Sequence, residues 1–241
     1  MSTNGTQDHI AYLDTLAAHR RKPGRPFVTL SYAQSLDGCL SGAHRRQYSL
    51  SGEEALAFTH RLRAWHDAIL VGIGTVTTDD PHLTVRHVSG RNPQPVVLDS
   101  TLRFPLTAYL LGGHPMAPWI MTTLESDIER ERVLTEAGAK VFRLQSNENG
   151  RVAAGAALEK LAGLGIERVM VEGGAGIIGS FLVRRLVDVV IITISPMIVG
   201  GVRAIDLPGD VAGSALPTLS AIRVLRMGKD MVLIGEPRWE D

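Results

Sequence analysis

The sequence predicts an α/β protein with a mixed, mainly parallel central sheet flanked by helices and an antiparallel C-terminal hairpin. From about residue 51 to residue 194, short β-branched runs alternate with stretches of helical spacing, as in parallel strands joined by helical crossovers. Near the end of the chain, the strand-like segments 222–227 and 231–234 are joined by Gly228-Lys229-Asp230, a short turn typical of a hairpin. The antiparallel pair argues against a purely parallel, doubly wound sheet.

The elements follow in order along the chain. Residues 10–20 have helical spacing, and Lys22-Pro-Gly-Arg-Pro26 ends that helix, so we expect an N-terminal helical extension over 1–25 and a single domain over 26–241. Apolar runs predict strands at 27–34, 68–71, 95–99, 118–121, 141–144, 168–171 and 189–194. Amphipathic spacing predicts helices at 55–65, 126–138, 152–164 and 177–186. Ser51-Gly-Glu-Glu54 and Ser126-Asp-Ile-Glu129 match the capping box and predict both serines as N-caps.

Composition narrows the functional class. The 25 basic and 25 acidic residues balance, so we expect neither nucleic acid nor an anionic membrane as a partner. Cys39 is the one cysteine, and the N-terminus has no signal-like apolar core, so a cytoplasmic location is expected. The eight histidines form no H-x-x-x-H or H-E-x-x-H pattern, so no metal site is expected.

A glycine cluster after the strand at 168–171 is the most informative motif. Gly174-x-Gly176-x-x-Gly179 has dinucleotide spacing, and glycines there let phosphate oxygens reach the N-terminus of the following helix. An NAD-type fold has a carboxylate at the end of the next strand, where it binds the ribose hydroxyls, and this chain has none there. The absence weakly favours NADP over NAD, and it more strongly favours a different nucleotide-binding α/β fold. A tight turn without a ligand is the alternative.

A polar segment follows the strand at 68–71. Thr75, Thr78, Asp79 and Asp80 fall where open α/β sheets bind ligands, and Arg86 would suit a phosphate. From spacing alone, the two carboxylates also fit a turn and an N-cap, and the arginine fits a surface salt bridge. Arg61 and Arg63 on the preceding helix are expected on a solvated face, although Arg63 is close enough to the helix end to reach a ligand.

Several short motifs occur together and in order. They are Leu36-Asp-Gly38, Leu62-Arg-Ala64, Asp67-Ala-Ile-Leu-Val-Gly-Ile-Gly-Thr75, Asp79-Asp-Pro-His-Leu-Thr-Val-Arg86, Val97-Leu-Asp-Ser100, Val171-Glu-Gly-Gly174, Leu186-Val-Asp188 and Pro196-x-x-x-Gly-Gly201. From about Arg25 to Ile234, the chain resembles the reductase domain of riboflavin biosynthesis, the C-terminal domain of the bifunctional deaminase-reductase. The resemblance implies a dihydrofolate-reductase-like fold, a homodimer, and NADPH as the hydride donor to C1 of a ribosylaminopyrimidine 5′-phosphate.

The resemblance also implies site residues. NADPH would contact Ala33, Ser49, Thr75, Asp79, Ser100, Gly173, Gly174, Ala175, Gly176 and Ile177. The phosphorylated pyrimidine substrate would contact Gln47, Arg63, Leu83, Arg86 and Glu172. Either Asp79 or Glu172, or a water held by one of them, would relay the proton that sugar opening needs, and the sequence leaves that choice open.

One position departs from the family pattern. Many relatives carry a lysine where this chain has Ser31, which removes a cation from the expected substrate site. Two alternatives therefore stand beside the riboflavin-pathway reductase. One is an NADPH-dependent reductase of the same fold acting on a dihydropterin or another small carbonyl or imine compound, and the other is a non-catalytic nucleotide-binding module.

Overall fold

A computed structural model describes residues 4–20, 22–43, 48–205 and 216–240 of the chain. The strands are β1 (Phe27–Ser35), β2 (Cys39–Ser41), β3 (Ala68–Gly72), β4 (Gln94–Leu98), β5 (Trp119–Thr123), β6 (Lys140–Leu144), β7 (Arg168–Val171), β8 (Val189–Ser195), β9 (Val202–Arg203), β10 (Thr218–Met227) and β11 (Asp230–Arg238). The helices are α1 (Asn4–His19), α2 (Glu53–Trp65), α3 (Ile73–Asp79), α4 (Tyr109–Gly112), α5 (Ile128–Glu136), α6 (Ala154–Gly163) and α7 (Ala175–Val183).

A nine-stranded sheet in the order β10-β11-β8-β1-β7-β3-β4-β5-β6 forms the centre of the fold. Neighbours from β8 to β6 are parallel, while β11 is antiparallel to both β8 and β10. A second, short antiparallel sheet pairs β2 with β9, and the sequence patterns did not predict it. The expected architecture is confirmed: a mixed, mainly parallel central sheet flanked by helices, with an antiparallel hairpin at its C-terminal end.

Both faces of the sheet are covered by helices. Because successive strand residues point to opposite faces, Ala68 and Leu70 join a cluster beneath α6 and α7, whereas Ile69 and Val71 join a cluster with α3, α4 and α5. A third cluster packs α1 and α2 against the strands near the hairpin. Strands buried on both faces are near-continuous apolar runs, as the sequence of β3 shows.

The N-terminal helix α1 contacts this third cluster directly. Leu13 and Leu16 are buried against α2 and the sheet, and the Trp65 indole N–H donates to Asp14 at 2.7 Å. Arg20 also forms a salt bridge with Glu236 on β11. The division of the chain at residue 25 stays a prediction about folding units.

Both predicted serine caps are wrong. Gly52 is the N-cap of α2 and makes no side-chain cap bond; its own N–H donates to buried Asp230 at 2.6 Å. Asp127 caps α5, accepting from the N–H groups of Glu129 and Arg130. In both cases the next residue in sequence has the N-cap conformation, and at α5 the aspartate that fills it is itself a strong cap former.

The chain beyond β3 and β7 also differs from expectation. The polar segment after β3 forms α3 instead of a loop, so Asp79 ends a helix and Asp80 is its C-cap with a φ of 39° rather than an N-cap. The helix after the glycines begins at Ala175, two residues before the predicted start, so Gly174 is its N-cap.

No helix within the described ranges is long and apolar enough to span a membrane.

Candidate active site

A cavity of about 940 Å³ opens at the carboxyl ends of β3, β4 and β7. Parallel strands leave a crevice there because the connections that follow them diverge. Strand β1 forms one wall: Ser31 and Ala33 lie beyond Leu30, the last β1 residue that pairs with β7. The predicted site residues that line the cavity are Ala33, Arg63, Thr75, Asp79, Leu83, Ser100, Glu172, Gly173, Gly174, Ala175, Gly176 and Ile177.

Three glycines on the cavity wall, Gly74, Gly174 and Gly176, face open space. A Cβ built on any of them meets no atom within 4 Å, and none of the three has a positive φ. Neither packing nor backbone conformation therefore requires glycine at these positions. Glycine at a strand-to-helix turn lets a ligand approach the backbone closely, so this part of the wall fits the pyrophosphate of a dinucleotide.

The N-terminus of α7 adds to this cradle. Gly174 makes no side-chain cap bond, and the first turn of α7 contains no acidic residue. The first N–H groups of a helix have no acceptor within it, although here the Ile177 N–H donates to the Gly174 carbonyl at 3.0 Å, and the helix dipole is positive at that end. An anionic oxygen is the complementary partner for this end of the cavity.

Two other glycines hold α7 close to the sheet. A Cβ at Gly72 would lie 2.8 Å from Cγ1 of Ile177, and a Cβ at Gly173 would lie 2.9 Å from Cβ of Ile177. Both distances are too short for real contacts. These glycines therefore let the first turn of α7 pack on the ends of β3 and β7, while the open glycines leave room for a ligand.

Arg63 and Glu172 form a partly buried ion pair beside the cradle. Arg63 Nε donates to Oε1 and Nη2 donates to Oε2 of Glu172, each at 2.8 Å. Burial alone would lower the pKa of Arg63, but the charge and hydrogen bonds of Glu172 outweigh it and raise that pKa. Only 12% of the Arg63 side chain is exposed, so its expected place on a solvated face is wrong.

The segment 84–86 lies against this pair. Arg63 Nη1 donates to the Thr84 carbonyl at 3.1 Å, and the Val85 N–H donates to Oδ1 of Asn92 at 2.7 Å. Arg86 Nη1 donates to the Thr84 hydroxyl at 2.8 Å. Desolvation and then the nearby charge of Arg63 lower the pKa of Arg86. Two guanidinium groups that repel each other favour an anion between or beside them.

Two predicted site residues, Ser49 and Arg86, are placed differently, and a third is not described. Ser49 is exposed and does not line the cavity. Arg86 is also exposed and outside the lining, although Leu83, three residues earlier, lines it. Gln47 lies outside the described residues, so its predicted substrate contact stays a prediction.

Sequence reasoning singled out Ser31 but missed Tyr32, Arg103 and Arg151, which also line the cavity. Ser31 is buried in its wall, and the burial of Tyr32 raises the pKa of that phenol to about 12, so the hydroxyl keeps its proton. Arg103 and Arg151 line the end of the cavity beyond β4 and β6. Each arginine follows the end of a predicted strand, and that position was the available signal. No cluster of three or more His, Cys, Asp or Glu suited to a metal occurs in the described parts of the chain.

The fold and the cavity define a class: an α/β protein with a mainly parallel sheet, in which a glycine-rich strand-to-helix turn lies in one cavity with a partly buried ion pair. Residues 26–233 match the family model described as the RibD C-terminal domain. The chain belongs to this family, which confirms the family that the sequence motifs indicated.

Two curated relatives illustrate the range of the family. The chain is 40% identical over 187 residues to the 2,5-diamino-6-ribosylamino-4(3H)-pyrimidinone 5′-phosphate reductase of Archaeoglobus fulgidus, an alignment that covers 73% of this chain and 83% of that protein. It is 34% identical over 230 residues to the riboflavin biosynthesis protein RibD of Bacillus amyloliquefaciens, covering 94% of this chain but 61% of that protein. The chain therefore spans about three fifths of the longer RibD relative.

Solved structures agree with this placement. RibD of Acinetobacter baumannii superposes with a TM-score of 0.75 at 26% identity, covering 90% of this chain and 59% of that one. The riboflavin biosynthesis reductase Rib7 of Saccharomyces cerevisiae superposes with a TM-score of 0.73 at 29% identity, covering 92% of this chain and 94% of that one. The second match extends over nearly the whole of both chains.

Proposed function

We propose that the chain is the NADPH-dependent reductase of riboflavin biosynthesis. It converts the ribosylamino group of a pyrimidine 5′-phosphate into a ribitylamino group. The observation that carries the proposal is one cavity lined both by the open glycines Gly174 and Gly176 and by the Arg63–Glu172 pair. Relatives from Archaeoglobus fulgidus and Aquifex aeolicus, named as reductases of such a pyrimidinone 5′-phosphate, are 40% and 37% identical to the chain and support it.

NADPH is the proposed cofactor because the cavity offers partners for its anionic groups. Gly174 and Gly176, with the N-terminus of α7, suit the pyrophosphate. Arg103 and Arg151 suit the 2′-phosphate that distinguishes NADPH from NADH, since guanidinium groups bind phosphate through paired hydrogen bonds. When bound, NADPH supplies the hydride for C1 of the sugar.

The substrate is proposed to lie at the other end of the cavity. Arg86, exposed just outside the cavity lining, neutralises its 5′-phosphate, and Arg63, whose charge is balanced by Glu172, lies at the same end. Arg63 also fixes both oxygens of Glu172, so this carboxylate presents a set geometry to the pyrimidine ribose. The proton for the ring oxygen comes from Asp79, Glu172 or a water held by either; replacing each carboxylate by its amide and comparing kcat identifies which one the step needs.

A homodimer is proposed from one apolar face of the sheet. Val224 pairs with Leu233, and Met231 pairs with Ile194 on β8, so these side chains share a face. Val224 and Met231 are 63% and 45% exposed, whereas the opposite face of the same strands is buried against α1 and α2. A second copy of this chain is the occupant that fits such an apolar face at the edge of the sheet.

A cytoplasmic location belongs to the same proposal. The small phosphorylated substrate and the nicotinamide cofactor are cytoplasmic metabolites, and Cys39 is a free, buried thiol. The balanced charge of the chain supports neither nucleic acid nor a membrane surface as a partner.

Ser31 favours a second candidate, a reductase of the same fold for a dihydropterin or another small carbonyl or imine compound. The side chain lines the cavity and is 7% exposed, so the lysine of many relatives is replaced within the site itself. Replacing that lysine by serine would reduce the binding affinity for a neutral substrate less than the affinity for a phosphorylated one.

The deciding experiment measures the loss of NADPH absorbance with the ribosylaminopyrimidine 5′-phosphate in its deaminated and undeaminated forms, and with NADH in parallel. We expect turnover of one form with NADPH, and the faster form places the reaction before or after deamination. NADPH binding without turnover of either pyrimidine would overturn the riboflavin assignment. Turnover of a dihydropterin would then support the second candidate, and its absence would favour a non-catalytic nucleotide-binding module.

A further inference from the structure

His60 is a buried side chain that none of the proposed steps uses. It lies on α2, one helical turn before Arg63, and is 0% exposed. Its Nδ1 accepts a hydrogen bond from the backbone N–H of Arg86 at 3.0 Å. Because the N–H is the donor, Nδ1 is the unprotonated nitrogen and Nε2 carries the proton.

The surroundings of His60 keep the imidazole neutral. Burial, then the charges of Arg63, Arg86 and His87, lower its pKa to about 4, although the charge of Glu172 acts in the opposite sense. The His87 ring packs edge-on at 4.6 Å, and Nε2 has no hydrogen-bond partner among the described residues. A neutral ring keeps Nδ1 available as an acceptor at physiological pH.

His60 completes a set of contacts that fixes the segment 84–86. Arg63 donates to the Thr84 carbonyl, Asn92 accepts from the Val85 N–H, and His60 accepts from the Arg86 N–H. Each of these three consecutive residues therefore has one backbone group hydrogen-bonded to a side chain. The segment has no regular structure to hold it. Leu83, immediately before it, has a φ of 52°, a conformation that a non-glycine residue keeps only when its surroundings impose it.

We propose that His60 is a positioning residue that holds the backbone of Arg86 so that its guanidinium meets the substrate phosphate. This inference rests on the proposed function, because it takes Arg86 as a phosphate ligand. A loosened segment 84–86 would scatter the guanidinium over many positions. Substrate affinity would fall, while the chemistry at the sugar would be little affected.

Two variants of His60 separate the hydrogen bond from the packing. His60→Leu fills the space but offers no acceptor to the Arg86 N–H, whereas His60→Asn places an amide oxygen where Nδ1 stood. We expect His60→Leu to raise KM for the phosphorylated substrate about tenfold with kcat changed less than about threefold, and His60→Asn to recover most of the loss. His19→Leu, on the exposed side of α1, is the control and leaves both constants unchanged.

The phosphate-free nucleoside substrate and amide exchange supply readouts that a general packing defect would not reproduce. The rise in KM caused by His60→Leu should vanish with the nucleoside. In the double variant His60→Leu/Arg86→Ala, KM should be no higher than in Arg86→Ala alone. The backbone amide of Arg86 should exchange about tenfold faster in His60→Leu than in wild type or His60→Asn. An equal penalty with the nucleoside, or unchanged Arg86 exchange, would overturn the proposal.

Failure of the proposed function is distinguishable from failure of this inference. If wild-type protein reduces neither pyrimidine, the function is wrong, and titration calorimetry with ribose 5-phosphate then tests His60. Weaker binding to His60→Leu than to wild type and His60→Asn would support positioning of an anion ligand. Equal binding in all three would overturn it.

Discussion

Arg63 and Glu172 join the last turn of α2 to the end of β7 through two parallel hydrogen bonds of 2.8 Å. The two residues are 109 positions apart in sequence, and both side chains are largely buried, with 12% and 19% exposed. A pair of this kind orients both groups more firmly than either could be held alone, because each bidentate partner restricts the rotation of the other. The proposed substrate site depends on that orientation.

Glu172→Gln should therefore impair both stability and catalysis. We expect the free energy of unfolding to fall by about 2–3 kcal/mol, because the Arg63 charge loses its partner while remaining partly buried. We expect kcat/KM to fall on the order of a hundredfold. Urea unfolding and steady-state kinetics measure the two effects, with Glu159→Gln at an exposed position of α6 as the control. Full additivity of Glu172→Gln with Arg63→Met would show that the pair does not act as a unit.

Gly176→Ala should weaken NADPH binding without harming the fold. Its added methyl group meets no protein atom within 4 Å but would fill space proposed for the cofactor. We expect the apoprotein to gain about 0.5–1 kcal/mol of stability and the NADPH Kd to rise about tenfold. Gly155→Ala is a matched control, because Gly155 is also the second residue of a helix and also faces open space. Similar NADPH affinity in both variants would place the pyrophosphate elsewhere.

Arg103→Ala and Arg151→Ala should each change cofactor choice. Loss of a guanidinium that binds the 2′-phosphate should raise KM for NADPH about tenfold and leave KM for NADH unchanged. Initial rates with the two cofactors measure the ratio. Arg132→Ala, on the exposed face of α5, is the control. A parallel rise in both KM values would mean that the arginines contact the shared part of the cofactors or stabilise the fold.

Stability should fall as pH is lowered from about 6.5 to 4, and His66 should account for part of the fall. His66 is fully buried; its Nδ1 donates to the Leu62 carbonyl at 2.6 Å and its Nε2 accepts from Thr29 at 2.8 Å. Burial lowers the pKa of His66 to about 4. Between pH 6.5, the ordinary pKa of histidine, and about pH 4, this ring is protonated in the unfolded chain but neutral in the native protein. Lowering the pH through this window therefore favours the unfolded state.

Each such histidine should contribute a slope of up to about 1.4 kcal/mol per pH unit inside this window. Urea unfolding between pH 7 and pH 4 measures the slope, and His66→Gln should reduce it relative to wild type and to the exposed control His19→Gln. An unchanged slope in His66→Gln would mean that His66 is protonated in the native state or that other groups dominate.

If the protein forms the proposed dimer, Val224→Glu should convert it into monomers. The new carboxylate would be buried between two copies of the apolar sheet face that contains Val224 and Met231, without a paired charge. Light scattering after size exclusion measures the mass. Ile128→Glu, at a similarly exposed isoleucine on α5, should leave the mass unchanged. A monomeric wild-type protein would contradict the proposed dimer.

Much of the fold was predictable because its signals are local. The strand β7 was predicted with its observed bounds, and β3 within one residue, because buried parallel strands are nearly continuous apolar runs. The glycine cluster before α7 was equally visible, since the conformational freedom of glycine is a property of the residue itself. The exact helix starts were wrong at α2, α5 and α7, because a cap depends on which residue has the right backbone conformation and not on residue type alone.

The sequence by itself determined the alternation of the main strands and helices, the glycine-rich turn before α7 and the family. Tertiary structure alone decided which distant side chains meet. Placing β7 between β1 and β3 brings the end of that strand beside α2, so Glu172 meets Arg63, and His60 meets the backbone of Arg86. These contacts join segments far apart in the chain, and their partners are selected by the packing of the whole sheet, which no local pattern of residues encodes.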